Sequence, residues 1–537
     1  MQRAGSPKSA VDWRRFSSQR IINWEEAMVV FKQRLNLRLA SSAAIAMATW
    51  LVPLAAKAHR RKRRHAIGLF ILLALGAVIC AGHPGNAQSP PAPTSAGNPR
   101  SGASPAIPLG QSVSQPALTG VGNHPGEPPP AISLGQAFEN WLTQPTMTGD
   151  WGGLRTKLSE EGFDINASYT GEYAYNFSGG RRTGGDYAQQ WTWGMNVDMG
   201  KVAGLTGGTF HLKFNQTQGR STRADFIGNR LSVQTIFGAE NLRVTALSYE
   251  QNLFGNTLDL KAGYLVMGDD FAVTRLLCLF ENVAFCAHPQ SLPNDSGWTD
   301  YPNSRWGGVA IVNLPHGIYT ETAIQDVNPT YALHQNGLKF SLQGSTGVLF
   351  AQEFGKTVQL GPAFLPGHYK IGGYYDTSSV PGIANPQLTY SGRYGGYLVA
   401  DQMVWSFEPG TNRGLIVVAN ATVNDKRTSQ IGPYFTAALI AQGPFAARPR
   451  DSIGIGYVRD FVNRNLVQRE TTELEAEGVV NPDLALGENI LEIAYGLQVT
   501  PWMAIHPNVQ YIGNPGAFTF THIPNAWVFG VHVGLIF

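Results

Sequence analysis

The sequence predicts an all-β chain: a transmembrane antiparallel β-barrel of roughly 16 strands with a short N-terminal helical segment. Three observations predict it. Charge is scarce while glycine is abundant, apolar and polar residues alternate at the strand period with an aromatic-rich apolar face, and membrane-helix runs are missing. Only 14% of the 537 residues are charged and 61 are glycine, whereas a soluble domain carries about 25% charge. A helical membrane protein needs repeated runs of about 20 apolar residues, and none occurs after the first 90 positions. The formal net charge is +3 and the basic residues gather near the N-terminus, so no nucleic acid partner is indicated.

Residues 1–87 read as leader and signal peptide. Arg60-Arg61-Lys62-Arg63-Arg64, the apolar run from Ala66 to Ala81 and Gly85-Asn86-Ala87 before Gln88 have the order of n-region, h-region and cleavage site. Cleavage is expected after Ala87. A membrane anchor is the alternative, but about 16 apolar residues are short for a span. Cys80 follows Ile79 rather than a small residue, unlike a lipoprotein processing site, and leaves with the signal. Upstream, Ala43 to Ala56 is a second apolar stretch and Ala56-Lys57-Ala58 imitates a cleavage site. An over-extended start, with translation from Met47, accounts for this, as does an unusually long leader. Residues 88–132 are rich in Pro, Ser and Gly and include Pro128-Pro129-Pro130, a composition that cannot bury a core. They read as a flexible or extended periplasmic linker. Residues 133–162 form the segment before the barrel, and residues 163–537 the barrel itself.

Side chains on a strand point alternately to its two faces, so a membrane strand sets apolar residues outward against polar or small ones inward. At the C-terminus Trp527, Phe529, Val531, Val533, Leu535 and Phe537 oppose Gly530, His532 and Gly534, and the terminal Phe537 resembles the assembly signal of bacterial outer-membrane barrels. Leu491, Ile493, Tyr495, Leu497 and Val499 oppose Glu492, Gly496, Gln498 and Thr500; Pro501 marks a tight turn; then Met503, Ile505, Val509 and Tyr511 oppose His506, Asn508 and Gln510. Near the start, Phe163, Ile165, Tyr169, Tyr173 and Tyr175 alternate with Asp164, Asn166, Ser168, Thr170 and Glu172. Trp191 to Val197, Phe210 to Phe214 and Leu258 to Tyr264 repeat the pattern, with Lys213, Asp259 and Lys261 on the inner face. The inner face is expected to be polar throughout. A soluble sandwich also alternates, but the wealth of Trp, Tyr and Phe on the outer face fits the aromatic girdles of a barrel in lipid. Residues 163–537, at roughly 20 to 25 per strand with its share of loop, allow roughly 16 strands, enough to enclose an aqueous channel.

Several blocks are familiar. Thr148-Gly149-Asp150-Trp151-Gly152-Gly153-Leu154-Arg155 with Leu158 and Gly162-Phe163 comes first, followed by Tyr249-Glu250-Gln251 with Leu260-Lys261-Ala262-Gly263. Arg393-Tyr394-Gly395-Gly396-Tyr397 and Arg448-Pro449-Arg450-Asp451 before Gly454-Ile455-Gly456-Tyr457 keep the order. The closing block is Glu492-Ile493-Ala494-Tyr495, Pro501-Trp502, and His506-Pro507-Asn508-Val509-Gln510-Tyr511-Ile512 with Asn514-Pro515-Gly516. From about Leu142 to Phe537 the chain thus resembles the carbohydrate-selective porin (OprB) family. The resemblance implies an outer-membrane barrel whose lumen narrows to a constriction of charged and aromatic side chains and passes glucose and related sugars by facilitated diffusion. It also implies mono- or oligosaccharide substrates and surrounding outer-membrane lipid, and leaves a homotrimer or a monomer open. The long Pro-rich segment and two loop cysteines depart from the pattern.

A sugar presents hydroxyl groups at its edge and an apolar ring face, so a selective pore wants hydrogen-bonding groups and aromatic platforms. The pore-lining candidates are Glu172, Lys213, Asp259, Lys261, Glu492 and Gln510, with Trp502 at a strand start and Arg305 and Arg393 as bidentate donors if they reach the lumen. For each, the plainer account is a solvated residue that keeps the channel wet. Trp151 precedes the first strand, and packing of the N-terminal segment against the barrel explains it better than sugar contact. Cys278 and Cys286, the two cysteines left after signal removal, are expected to form a loop disulfide in that oxidising compartment. Metal binding is the weaker account of the pair, since only His288 lies nearby. No cofactor is expected. Among the rivals, an outer-membrane enzyme lacks a nucleophile motif of the Gly-x-Ser-x-Gly type; an export or surface-binding barrel and a general, non-selective porin share the fold and stay open.

Overall fold

The computed structural model describes residues 133–236 and 240–537. The leader and the linker, residues 1–132, lie outside the described residues. Helix α1 (Leu134–Thr143) opens on a capping box: the Ser133 hydroxyl accepts from the Gln136 N–H, and the Gln136 side chain accepts from the Ser133 N–H. Helix α2 (Leu154–Glu160) follows and ends just before the first strand.

Sixteen strands then run in chain order: β1 (Phe163–Ser178), β2 (Gly184–Asp198), β3 (Gly208–Gly219), β4 (Asn241–Leu253), β5 (Leu258–Leu265), β6 (Arg305–Leu314), β7 (Ile318–Val327), β8 (Gly347–Leu360), β9 (Leu365–Pro381), β10 (Thr389–Ser406), β11 (Gly414–Asn424), β12 (Ile431–Gln442), β13 (Ser452–Val462), β14 (Gly487–Thr500), β15 (Met503–Gly513) and β16 (Ala526–Ile536). Each pairs antiparallel with the next and β1 pairs with β16, closing the sheet. Closure leaves no strand edge unpaired, the condition for a sheet in hydrocarbon. At the seam Tyr173 stands opposite Val531, and the Phe537 N–H donates to the Ala167 carbonyl at 2.9 Å.

The connections differ by rim. On one rim β4 and β5, β6 and β7, β8 and β9, and β14 and β15 are joined by tight turns, and β2 and β3 by the one-turn helix α3 (Met199–Ala203). The other rim carries the long loops: residues 220–236, residues 266–304 with the one-turn helix α4 (Ser291–Asp295), residues 328–346, and residues 463–486 with helix α5 (Arg464–Ala476). Short turns mark the periplasmic end of an outer-membrane barrel and long loops its outer end.

Alternation is plain in the wall. Tyr173, Tyr175, Trp191, Trp527 and Phe529 are exposed on the outside, while Glu172, Ala174 and Val528 are buried inside. The expectation of a polar inner face holds only in part. Along β10 to β16 the inward residues Met403, Ile416, Val418, Ala438, Ile440, Val458, Ile490 and Ala494 form one apolar cluster with Leu276, Leu279, Phe280 and Phe285 of the 266–304 loop. The core of this molecule sits inside the barrel because that loop folds into the lumen and needs an apolar seat. The loop leaves from β5 and returns at β6, both shorter than β4. The 328–346 loop covers the notch this leaves: Val244 N–H donates to the Gly337 carbonyl at 3.1 Å, and the Arg243 guanidinium donates to the Tyr331 and Ala332 carbonyls at 2.5 and 2.9 Å.

Candidate functional site

The loops at residues 220–236 and 266–304 reach into the lumen, and the wall holds them by carboxylates. Strand alternation turns Glu172 (β1), Glu353 (β8), Asp376 (β9), Glu488 and Glu492 (both β14) inward, where all are buried. Each meets backbone N–H groups of a loop. Glu492 accepts from Glu281 and Asn282 at 2.7 and 3.0 Å, Glu353 from Ala272 at 2.7 Å, and Asp376 from Gly297 at 2.7 Å. Glu172 accepts from Ile236 at 2.9 Å and Glu488 from Arg230 at 2.8 Å. Amides continue the pattern: Gln510 accepts from the Asn282 side chain at 2.9 Å and donates to the Val233 carbonyl at 2.9 Å, so it touches both loops.

The tip of the 266–304 loop has its own frame. Cys278 and Cys286 are disulfide-bonded with Cα atoms 4.2 Å apart, and the Phe280 and Phe285 rings pack at a tilt with centroids 4.6 Å apart. The wall under these rings is bare. A Cβ at Gly454 would lie 2.9 Å from Phe280 Cζ, and one at Gly456 would lie 2.6 Å from Phe285 Cε1. Only glycine admits so close an approach at those two positions of β13. The returning limb is tied down through Asp295, whose carboxylate accepts from the Gln430 and Ile431 N–H groups at 2.8 and 2.9 Å. Burial pushes that carboxyl up to about 6, against the nearby Arg230 charge and those two backbone donors. The limb ends across the lumen, where the Tyr301 hydroxyl meets the Thr192 hydroxyl of β2 at 3.0 Å.

Beside it lies a charged stretch, exposed at Asp269 and Arg275 of the loop. Lys213 (β3) and Lys261 (β5) are half-buried on the facing wall. Lys261 binds Asp270 through both carboxylate oxygens at 2.7 Å, and the charges acting on Lys213 include Asp269, Lys261, Arg275 and Asp270. Nearer the tight-turn rim His211 meets Glu250 at 3.3 Å and Asn196 at 2.9 Å. Both signs therefore line the same side of the lumen.

The residues named from sequence divide accordingly. Lys213 and Lys261 stand on this charged side, and Asp259 lies buried beside Lys261's strand position on β5. Glu172, Glu492 and Gln510 face inward but meet loop backbone and amides, so their polar atoms are already engaged. Arg393 binds Asp376 at 2.8 Å and the Asp295 carbonyl at 3.1 Å, again holding a loop. Arg305 lies under the 328–346 loop, 5.9 Å from the Tyr331 ring. Trp502 is in the β14–β15 turn, where its indole N–H donates to the Trp141 carbonyl at 3.1 Å and the two rings lie 4.6 Å apart. Trp141, not Trp151, joins the N-terminal segment to the barrel; Trp151 stays half out in solvent under the Arg155 guanidinium. Sequence reasoning passed over Asp269, Asp270, Arg275 and Glu353. A signal was there: some 40 residues without strand pattern between Leu265 and Arg305 mark a functional loop in a compact fold.

A closed 16-strand barrel with its own loops folded into the lumen defines a porin, a channel and not an enzyme. The chain belongs to the carbohydrate-selective porin, OprB family, whose model matches residues 182–537. It is 32% identical over 417 residues to Porin B of Pseudomonas aeruginosa, covering 73% of this chain and 91% of that protein. A putative porin, QuiX, of Acinetobacter baylyi is 28% identical over 411 residues, covering 73% and 93%. Among solved structures, the high-pH structure of Pseudomonas putida OprB superposes with a TM-score of 0.68 at 31% identity, covering 74% of this chain and 99% of that one. The protein is a carbohydrate porin of the bacterial outer membrane.

Proposed function

We propose that glucose and related sugars, as mono- or short oligosaccharides, cross this barrel by facilitated diffusion on the side of the lumen between the 266–304 loop and strands β2 to β5. The carrying observation is the group of charges made by exposed Asp269 and Arg275 of the loop, Lys213 of the wall and the Lys261–Asp270 pair that ties loop to wall, while the β10 to β16 side is filled by the loop tip. Such a margin offers donors and acceptors in alternation, which suits a neutral, hydroxyl-rich solute better than an ion of either sign. Both walls of the passage belong to one chain, so the single barrel is the working unit whether it stands as a monomer or within a homotrimer. Outer-membrane lipid surrounds its apolar outer face.

The test is liposome swelling with glucose, a disaccharide and an amino acid of glucose's size. Glucose is expected to enter fastest, and the double change Lys213→Ala with Arg275→Ala to slow glucose several-fold. Equal entry of equal-sized solutes would overturn the sugar preference, and unchanged glucose entry in the variant would overturn the assigned side.

A further inference from the structure

Helix α1 presents an apolar stripe that the barrel does not cover. Leu134, Phe138, Trp141 and Leu142 recur at the i, i+4, i+7, i+8 spacing of one helix face, with Gln136, Glu139, Asn140 and Thr143 elsewhere around the helix. No residue of the helix is buried; Leu134 is 91% and Phe138 57% exposed. Its C-terminal end is nonetheless fixed. Trp141 packs at a tilt against Trp502 with centroids 4.6 Å apart and donates its indole N–H to the Met147 carbonyl at 2.9 Å, and the Met147 N–H donates to the Ile536 carbonyl at 2.8 Å. Leu142 borders one cleft with Pro501 and Val499, and Val499 is an outward residue of β14 left 46% exposed to lipid. The stripe therefore continues the lipid-facing surface at the rim of the tight turns.

We propose that α1 lies in the periplasmic leaflet of the outer membrane as an interfacial anchor, with phospholipid acyl chains as the partner of Leu134, Phe138 and Trp141. An amphipathic helix of this kind sinks its apolar face about 5 to 10 Å into the headgroup and acyl boundary, the depth at which tryptophan belts sit. Glu139 is the helix's only charged residue, so apolar contact holds it and anionic lipid adds nothing.

The experiment places a nitroxide on Phe138→Cys or Asn140→Cys in the full chain carrying Cys80→Ser; Cys278 and Cys286 are blocked by their disulfide. The protein is reconstituted in vesicles of phosphatidylethanolamine with varied phosphatidylglycerol, and collisions with oxygen and with an aqueous nickel chelate are compared by electron paramagnetic resonance. The label at 138 is expected to meet oxygen several-fold more often than nickel, as a label on Val499→Cys does, at every lipid composition, and the label at 140 to show the reverse. Equal nickel access at both positions overturns the proposal in favour of a helix in water. Protection of 138 from both reagents overturns it in favour of a protein occupant, the linker or a second chain.

Discussion

Glu492 shows how much one inward carboxylate determines. It accepts two consecutive N–H groups at the disulfide-bonded loop tip, and a buried donor that loses its partner costs about 1 to 3 kcal/mol. Glu492→Ala leaves both donors without a partner in a buried place, so the tip is expected to loosen by about 3 kcal/mol or more. The readout is solute exclusion: the variant should admit a trisaccharide that the parent retards, and unchanged exclusion with a folded barrel would show that the tip is held elsewhere. Lys213→Ala acts differently. It removes one positive charge from the charged side without touching a loop anchor, so ion preference in planar bilayers should move toward cations while exclusion by size stays. A variant with unchanged reversal potential would remove Lys213 from the conducting side.

The element that carries function is the 266–304 loop, and its seat explains which parts of it the sequence revealed. Phe285→Ala empties a buried aromatic site, a change that costs about 3 to 5 kcal/mol in cores, whereas Gly456→Leu fills the space that Phe285 Cε1 needs, 2.6 Å from the new Cβ. Both should raise the accessibility of the tip to added protease from the outer side, Gly456→Leu the more, and intact protection in both would deny the apolar seat. The wall strands with clean alternation, β1 to β3 and β14 to β16, were legible because their outer face is apolar and aromatic while their inner face carries mostly polar or small residues. The β11 run Gly414 to Asn424 was not, because Ile416 and Val418 pack on the loop while Val417 is exposed on the outer side; a strand apolar on both faces loses its period. The same ambiguity hid the role of Glu172, Glu492 and Gln510, since a polar inward residue looks alike whether it meets water or a loop's backbone. Lys213 and Lys261 were legible as inward charges, but Asp269 and Arg275 belong to no strand, and their placement needs the loop's fold.

At the scale of the whole molecule, the barrel is a frame whose bore is set by a second, internal structure. A sheet of 16 strands alone encloses a wide aqueous channel, yet here the β10 to β16 side of the bore is occupied by an apolar cluster shared between wall and loop. Conductance should therefore follow the loop rather than the strand number. The disulfide offers a way to change the loop without changing a wall residue: closing so short a ring lowers the entropy of the detached tip, worth about 2 to 3 kcal/mol in the chain-entropy model. Reduction in a planar bilayer should leave the barrel intact, as judged by heat-resistant migration on gels, while single-channel current becomes noisier and visits higher levels as the tip leaves its seat. Deleting residues 276–286 and joining the ends with glycines should fix the current at that higher level and abolish the preference for glucose over an amino acid of equal size. It should also lower the barrel's unfolding temperature, because Ile416, Val418 and Ile440 would then face water. A deletion that keeps both low conductance and sugar preference would place the constriction away from the loop, on the wall residues alone.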